Sequence, residues 1–319
     1  MSYLNNLWRN VSLWFVADPA LVVARDEPDR IDWARVIPFV GMHLMCLAVF
    51  WVGVSPVAGI VCALSYFLRM FAITAFYHRY FSHRSFKASR PVQFLFGVLG
   101  ASAVQRGPVW WAAHHRHHHA HSDQPADPHS PGQHGFWRAH TGWFLTRKGF
   151  APDLNRVRDL LRFPELRWLD RFDIAIPVLY AWGMLLLGQF LERTRPELGT
   201  SGWQMLVWGF FIATVLCYHG TYSINSLAHL VGTRRYASRD DSRNNWLLAL
   251  ITLGEGWHNN HHHYPASARQ GFYWCEIDIT WYGLKLLSWL RVIRDLRPVP
   301  IEVREAHAST VTDAGSAVT

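Results

Sequence analysis

The chain has 319 residues, half of them hydrophobic, with 17 Trp, 19 Phe, 31 Lys or Arg against 23 Asp or Glu, and a formal net charge of +8. From Val36 to Leu68 there is no Asp, Glu, Lys or Arg, which is too long for a soluble core helix and enough for two crossings of a hydrocarbon layer about 30 Å thick. The composition therefore argues for an integral membrane protein and against a nucleic-acid binder, and the four cysteines, without a C-x-x-C pair, support neither a thiolate metal site nor a disulfide framework.

In chain order, residues 1–35 mix Trp, Phe and Arg and read as an amphipathic interfacial approach segment with no cleavable leader. A first span is predicted over about 36–52, turned by Gly53-Val-Ser-Pro56, and a second over about 57–77 that emerges at His78. The polar stretch from Arg79 to Arg171 is broken by the apolar run 91–104, too short to cross and expected to lie in or dip into the interface. A third span is predicted over about 173–191 and a fourth over about 203–222, while 246–253 is again too short. The expectation is one all-α domain over 36–298, with four transmembrane helices and a helical cap, followed by a tail (299–319) that is small, polar and disordered from Ser309.

Lys and Arg are absent between the first two spans, and only Arg193 and Arg195 lie between the last two. By the positive-inside rule the termini and the middle stretch face the cytoplasm, as in an inner-membrane protein. Arg69, inside the second span, is expected to snorkel to that interface, with a substrate carbonyl or a buried carboxylate as its alternative contact.

Six histidines fall within His114 to His121, and two frames, His114/His117/His118 and His115/His118/His119, both place three imidazoles on one side of a helix. The same i, i+3, i+4 spacing recurs at His258/His261/His262, His78 and His83 form an H-x4-H pair, and Asn225 and His229 lie one helical turn apart. All four groups fall on the predicted cytoplasmic side. All-nitrogen ligation suits iron, copper, zinc or nickel. The surplus of ligands points to two metals, and two irons able to activate dioxygen fit a membrane enzyme that must attack hydrocarbon C–H bonds.

The motifs His78-Arg-Tyr-Phe-Ser-His83-Arg84, His115-Arg-His-His118-His119, Asn225-Ser-Leu-Ala-His229-Leu and Gly254-Glu-Gly-Trp-His258-Asn-Asn-His261-His262 resemble those of the membrane fatty acyl desaturases of the stearoyl-CoA type, bacterial members included. The similarity runs from about Phe39 to Pro298 and takes in Ala126-Asp127-Pro-His129 and Gly142-Trp-Phe-Leu-Thr-Arg147-Lys148. It implies the His115/His118/His119 register and nine iron-binding imidazoles, His78, His83, His115, His118, His119, His229, His258, His261 and His262, with Asn225 reaching an iron through water. The implied reaction introduces a double bond, at delta-nine, into a long-chain acyl-CoA or acyl-lipid, using dioxygen and a separate electron donor of ferredoxin, rubredoxin or cytochrome type with its reductase. No fused haem motif or ferredoxin-type cysteine spacing is present.

By the same resemblance Arg147 and Lys148 contact a headgroup, and Phe76, where the family often has Gly, narrows or shortens the acyl tunnel. Ala113 replaces an Arg associated with the CoA headgroup, so the acyl carrier stays open. Asp127 is expected to orient a neighbour. His114, His117, His121, His129 and His263 are expected outside the metal shell, and His43 and His219 in hydrogen-bonded structural roles. A related di-iron hydroxylase or decarboxylase is the nearest alternative, and a histidine-rich metal transporter or store the alternative from another class.

Overall fold

The structure, a computed structural model, describes residues 29–306. The interfacial reading before residue 29 and the tail from Ser309 lie outside the described residues. Among the described residues, four helices are long and apolar enough to cross a membrane: span 1 (Trp33–Val52), span 2 (Pro56–Ser82), span 3 (Ala175–Thr194) and span 4 (Gly202–His229). Local chemistry sets their starts. Asp32, Ser55 and Ser201 accept hydrogen bonds from first-turn N–H groups, and Pro56 follows Ser55 where its missing N–H costs nothing. Gly53, at φ +64°, supplies the left-handed turn between spans 1 and 2.

Spans 2 and 4 run on past the predicted ends at 77 and 222, to Ser82 and His229. An apolar run marks the membrane edge, whereas the helix continues because its next polar residues face protein rather than water. His78, Asn225 and His229 are therefore inside helices, not beyond them. The last eleven residues of span 2, Ala72–Ser82, form a wide π-helical stretch that is buried throughout. Span 3 starts two residues later than predicted because Asp173 stays in the preceding turn, paired with Arg106 at 2.7 Å.

Span 1 buries no residue, and Phe50, Trp51, Trp182 and Phe190 point outward from spans 1 and 3, as side chains facing lipid do. The main core lies at the opposite end, where spans 2 and 4 meet a cap of short helices: Arg90–Ala101, Pro108–His121, Pro164–Arg171, His258–His263 and Ile279–Trp289. Arg90–Ala101 covers most of the 91–104 run and packs on the end of span 2 and on Pro164–Arg171. Ile279–Trp289, which the sequence reading did not pick out, exposes Tyr282, Leu286 and Trp289. The all-α expectation needs one amendment, since Lys87–Ala88 pairs antiparallel with Ile293–Arg294.

Arg69 does not snorkel. It is fully buried, with Nε donating to the Ser65 carbonyl at 3.1 Å, Nη1 to Thr214 Oγ1 at 2.5 Å and Nη2 to the Gly209 carbonyl at 3.3 Å. Carbonyl and hydroxyl partners at mid-helix satisfy the guanidinium where water cannot reach.

Candidate metal centre

In Pro108–His121, His115 and His119 are one turn apart and His118 is rotated away from them; in His258–His263, His258 and His262 form the one-turn pair and His261 is the odd member. That offset sorts the rings. His115 and His119 join His78, His83 and His261 in a group of five imidazoles, while His258 and His262 join His118 and His229 in a group of four. Within each group the ligand nitrogens all lie within 4.8 Å of one another. Facing Nε2 atoms are 3.0 Å apart for His78 and His261, 2.9 Å for His261 and His119, 2.7 Å for His83 and His115, and 3.0 Å for His229 and His258. Two nitrogens about 2.1 Å from one ion and at right angles to each other lie about 3 Å apart, so each group fits one cation.

Carboxylates fix the outer nitrogens. Nδ1–H of His118 donates to Asp127 Oδ2 at 2.9 Å, that of His229 to Asp123 Oδ2 at 2.7 Å and that of His262 to Asp240 Oδ2 at 2.6 Å, and His78 Nδ1 pairs with Glu255. With the proton held outside, each Nε2 lone pair faces inward. His262 Nε2 is buried without a protein partner, an orphan that a bound cation would satisfy. Burial, reinforced by neighbouring imidazoles, pushes His83, His115, His119, His258 and His261 well below the usual histidine range, so these rings are neutral donors at physiological pH. Despite burial, the imidazoles of His118 and His129 hold Asp127 well below the usual carboxylate range.

A cavity of about 500 Å³ reaches the five-ring group at His115, lined chiefly by apolar side chains such as Phe39, Trp110, Trp143 and Phe150. A smaller one continues toward Ile73, Thr74 and His258, and both are bordered by Trp111, His115, Thr221 and Asn225. Asn225 thus stands where cavity and imidazoles meet. Phe76 lines neither cavity: it is buried and stacked on Phe96 with ring centroids 3.7 Å apart, so it packs the core rather than a tunnel. Arg69 lines neither. Arg147 and Lys148 are exposed and flanked by Leu145 and Phe150, which do line the large cavity.

Eight other described histidines are engaged elsewhere. His114 Nε2 meets the Phe150 carbonyl at 3.1 Å, His117 Nε2 the Ala126 carbonyl at 2.9 Å, and His121 Nε2 accepts from Arg156 at 3.0 Å. His129 lies beside Asp127, outside both groups, and His263 Nε2 meets the Val303 carbonyl at 3.1 Å. His43 and His219 form a pair at 3.2 Å that continues to His140 at 3.0 Å. The sequence reading missed the roles of Asp123, Asp240 and Glu255, which come from irregular segments with no periodic relation to the histidine motifs. For Asp123 and Glu255 the only signal was acidity close in sequence to a candidate histidine, and Asp240, which meets a histidine 22 residues away, lacked even that.

Fold and site together define a membrane protein whose cap gathers all-imidazole groups at the inner end of an apolar cavity. The sequence profile of the fatty acid desaturase family matches residues 50–292. Similar proteins include an acyl-CoA 5-desaturase of Anemone leveillei (35% identical, over 90% of this chain and 89% of that protein). An sn-2 palmitoyl-lipid 9-desaturase of Nostoc sp. (34%; 88% and 95%) and an sn-1 stearoyl-lipid 9-desaturase of Anabaena variabilis (34%; 87% and 98%) are comparably related. The chain belongs to the fatty acid desaturase family and is an acyl desaturase.

Proposed function

We propose that the protein introduces a double bond at the delta-nine position of a saturated fatty acyl chain, at a di-iron centre, using dioxygen and two electrons from a separate donor. The reaction balances as R–CH2–CH2–R′ + O2 + 2 e− + 2 H+ → R–CH=CH–R′ + 2 H2O. The relatives named for lipid 9-desaturation support the position. One iron would be held by His78, His83, His115, His119 and His261 and the other by His118, His229, His258 and His262, and Asn225 would reach an iron through a water. Bound there, the irons would supply the dioxygen activation needed to remove hydrogen from an unactivated chain.

The residues of the chain do the rest. Trp110, Trp143 and Phe150 enclose the acyl chain and exclude water, and Trp111 and Asn225 position it where the cavity meets the imidazoles. Asp123, Asp127, Asp240 and Glu255 keep the ligand rings in one tautomer. Arg147 and Lys148 serve the polar end of the substrate, and the cap faces the cytoplasm of an inner membrane, where a ferredoxin, rubredoxin or cytochrome-type donor reaches it.

The observation that carries this reading is the contact of the large apolar cavity with the five-ring group at His115, and of the smaller cavity that shares Trp111, Thr221 and Asn225 with it with both groups, at His78, His115, His118 and His258. It is tested by fatty-acid profiling of an expressing host with wild type, His118→Ala and His261→Ala. New monounsaturated chains are expected from wild type alone, with both variants still in the membrane. Hydroxylated chains or terminal alkenes would replace desaturation by hydroxylation or decarboxylation, and exchangeable metal without any new lipid would mean a metal store or transporter.

A further inference from the structure

The large cavity is bounded by elements that do not close around it. Span 1 contributes Pro38 and Met42 to one wall, and span 3 contributes Pro177, Val178 and Ala181 to the other. Span 1 rests on Val207–Ile212 of span 4 and on Trp143–Leu145, whereas span 3 rests on span 4 and on Arg90–Ala101, so the cavity fills the gap between spans 1 and 3. Pro38 is exposed, and Val178 is 54% exposed beside Leu179 and Trp182 on the outward face of span 3. Among the described residues, the gap therefore opens sideways, toward the acyl chains of the bilayer.

The water end of the same gap is charged. Arg35, Arg106 and Asp173 line it, and both guanidinium groups lie over the Phe150 ring, 3.1 and 4.5 Å from its centroid. Asp32 and Asp173 partly neutralise the two arginines, at 2.9 and 2.7 Å. The result is a slot open along one side of the spans, with two arginine–aspartate pairs at its lip and imidazoles at its inner end.

We propose that the acyl chain enters this slot laterally while still esterified in a membrane glycerolipid, its ester and headgroup region resting at Arg35 and Arg106. This rests on the acyl desaturase reading above and specifies the carrier. A chain taking this route exchanges lipid contacts for Trp, Phe and Met contacts and never exposes its apolar surface to water, a step that costs about 25 cal/mol per Å². A soluble thioester would need no opening along the spans.

The test uses membranes from cells expressing the full chain. They carry either phosphatidylglycerol with a diazirine in its sn-2 chain, or phosphatidylglycerol with a perdeuterated palmitoyl chain, and perdeuterated palmitoyl-CoA is supplied in parallel. Photoadducts are expected at Met42, Val178 or Ala181 and are not displaced by palmitoyl-CoA, and deuterated monoene is expected in the intact lipid. Ala181→Trp and Met42→Trp, which fill the slot from opposite walls, should each lower adducts and lipid-bound monoene about ten-fold or more with iron content unchanged. Leu179→Trp, on the outer face, should change neither. Adducts confined to outward residues such as Phe50 and Trp51, or monoene made from palmitoyl-CoA while lipid-bound chains stay saturated, would overturn lateral entry and leave the desaturase reading standing. Absence of monoene from both carriers with iron bound would sink that reading instead, and the adduct map would still decide the route.

Discussion

Asp127 shows how much of the candidate site depends on single carboxylates. Its Oδ2 accepts from His118 Nδ1 and from the Asp123 backbone N–H at 3.1 Å, so it fixes both the tautomer of His118 and the turn that carries another carboxylate. Replacing it by Ala removes the acceptor and frees the ring to rotate or change tautomer. Outer partners of this kind change metal affinity by about 10–100-fold, so Asp127→Ala should lose iron to a graded chelator at correspondingly lower chelator concentration while staying in the membrane. Iron per chain, measured beside His118→Ala, checks it. The imidazoles themselves were legible in the sequence because i, i+3, i+4 spacing is a helical signature that needs no tertiary information. The sorting into five and four was not, since it depends on how the two box helices face each other. Asp240 gave only the appearance of a charged loop, although its carboxylate holds His262 at 2.6 Å.

Among the elements, the box helix Pro108–His121 must start at one defined place for His115, His118 and His119 to meet their partners. Asp170 sets that start: its two oxygens accept from Val109 N at 2.9 Å and Trp110 N at 2.8 Å. The carboxylate comes so near that a Cβ on Gly107 would lie 2.5 Å from its Cγ and 2.6 Å from its Cα. Gly107→Ala should therefore displace the cap and lower the melting temperature, and Asp170→Ala alone should cost about 1–2 kcal/mol. The double variant should cost less than the sum, because removing the carboxylate relieves part of the overlap. A second junction is Arg79, fully buried, which bonds Glu255 at 3.1 Å and Asp278 at 3.0 Å while Asp278 caps Ile279–Trp289 by accepting from Trp281 N at 2.9 Å. Arg79→Leu removes the one guanidinium that the buried Glu255 and Asp278 share, leaving Glu255 with His78 and Gln270 and Asp278 with backbone N–H donors, and should cost about 3–5 kcal/mol, read as loss of folded protein in a detergent melt. The membrane spans were legible because apolar runs report lipid contact. Their true ends were not, because the π-helical end of span 2 is buried by the cap, a tertiary fact that hydropathy does not carry.

For the whole molecule, the cage formed by the two imidazole groups adds a further junction between spans 2 and 4 and the helices Pro108–His121 and His258–His263, and its rings are poorly matched to one another without a cation. His229 gives its Nδ1 proton to Asp123 and so presents a bare Nε2 to the Nε2 of His258, and satisfying that contact with a proton from His258 leaves His258 Nδ1 buried and unpartnered. His262 Nε2 is an orphan in any case. Neutral rings crowded at about 3 Å with lone pairs inward bind a cation readily and separate when it is withdrawn. A metal present at a hundred times its dissociation constant stabilises by about 2.7 kcal/mol per site. Stripping with a chelator should therefore lower the melting temperature by several degrees, and restoring ferrous iron should recover it. Hydrogen exchange should rise first in Pro108–His121 and in the stretch from Leu230 to His263, while spans 1 and 3, which contribute no ring to either group, keep their protection. If exchange rose equally in spans 1 and 3, or the melt were indifferent to chelation, the cage would add no junction between the cap and the membrane helices.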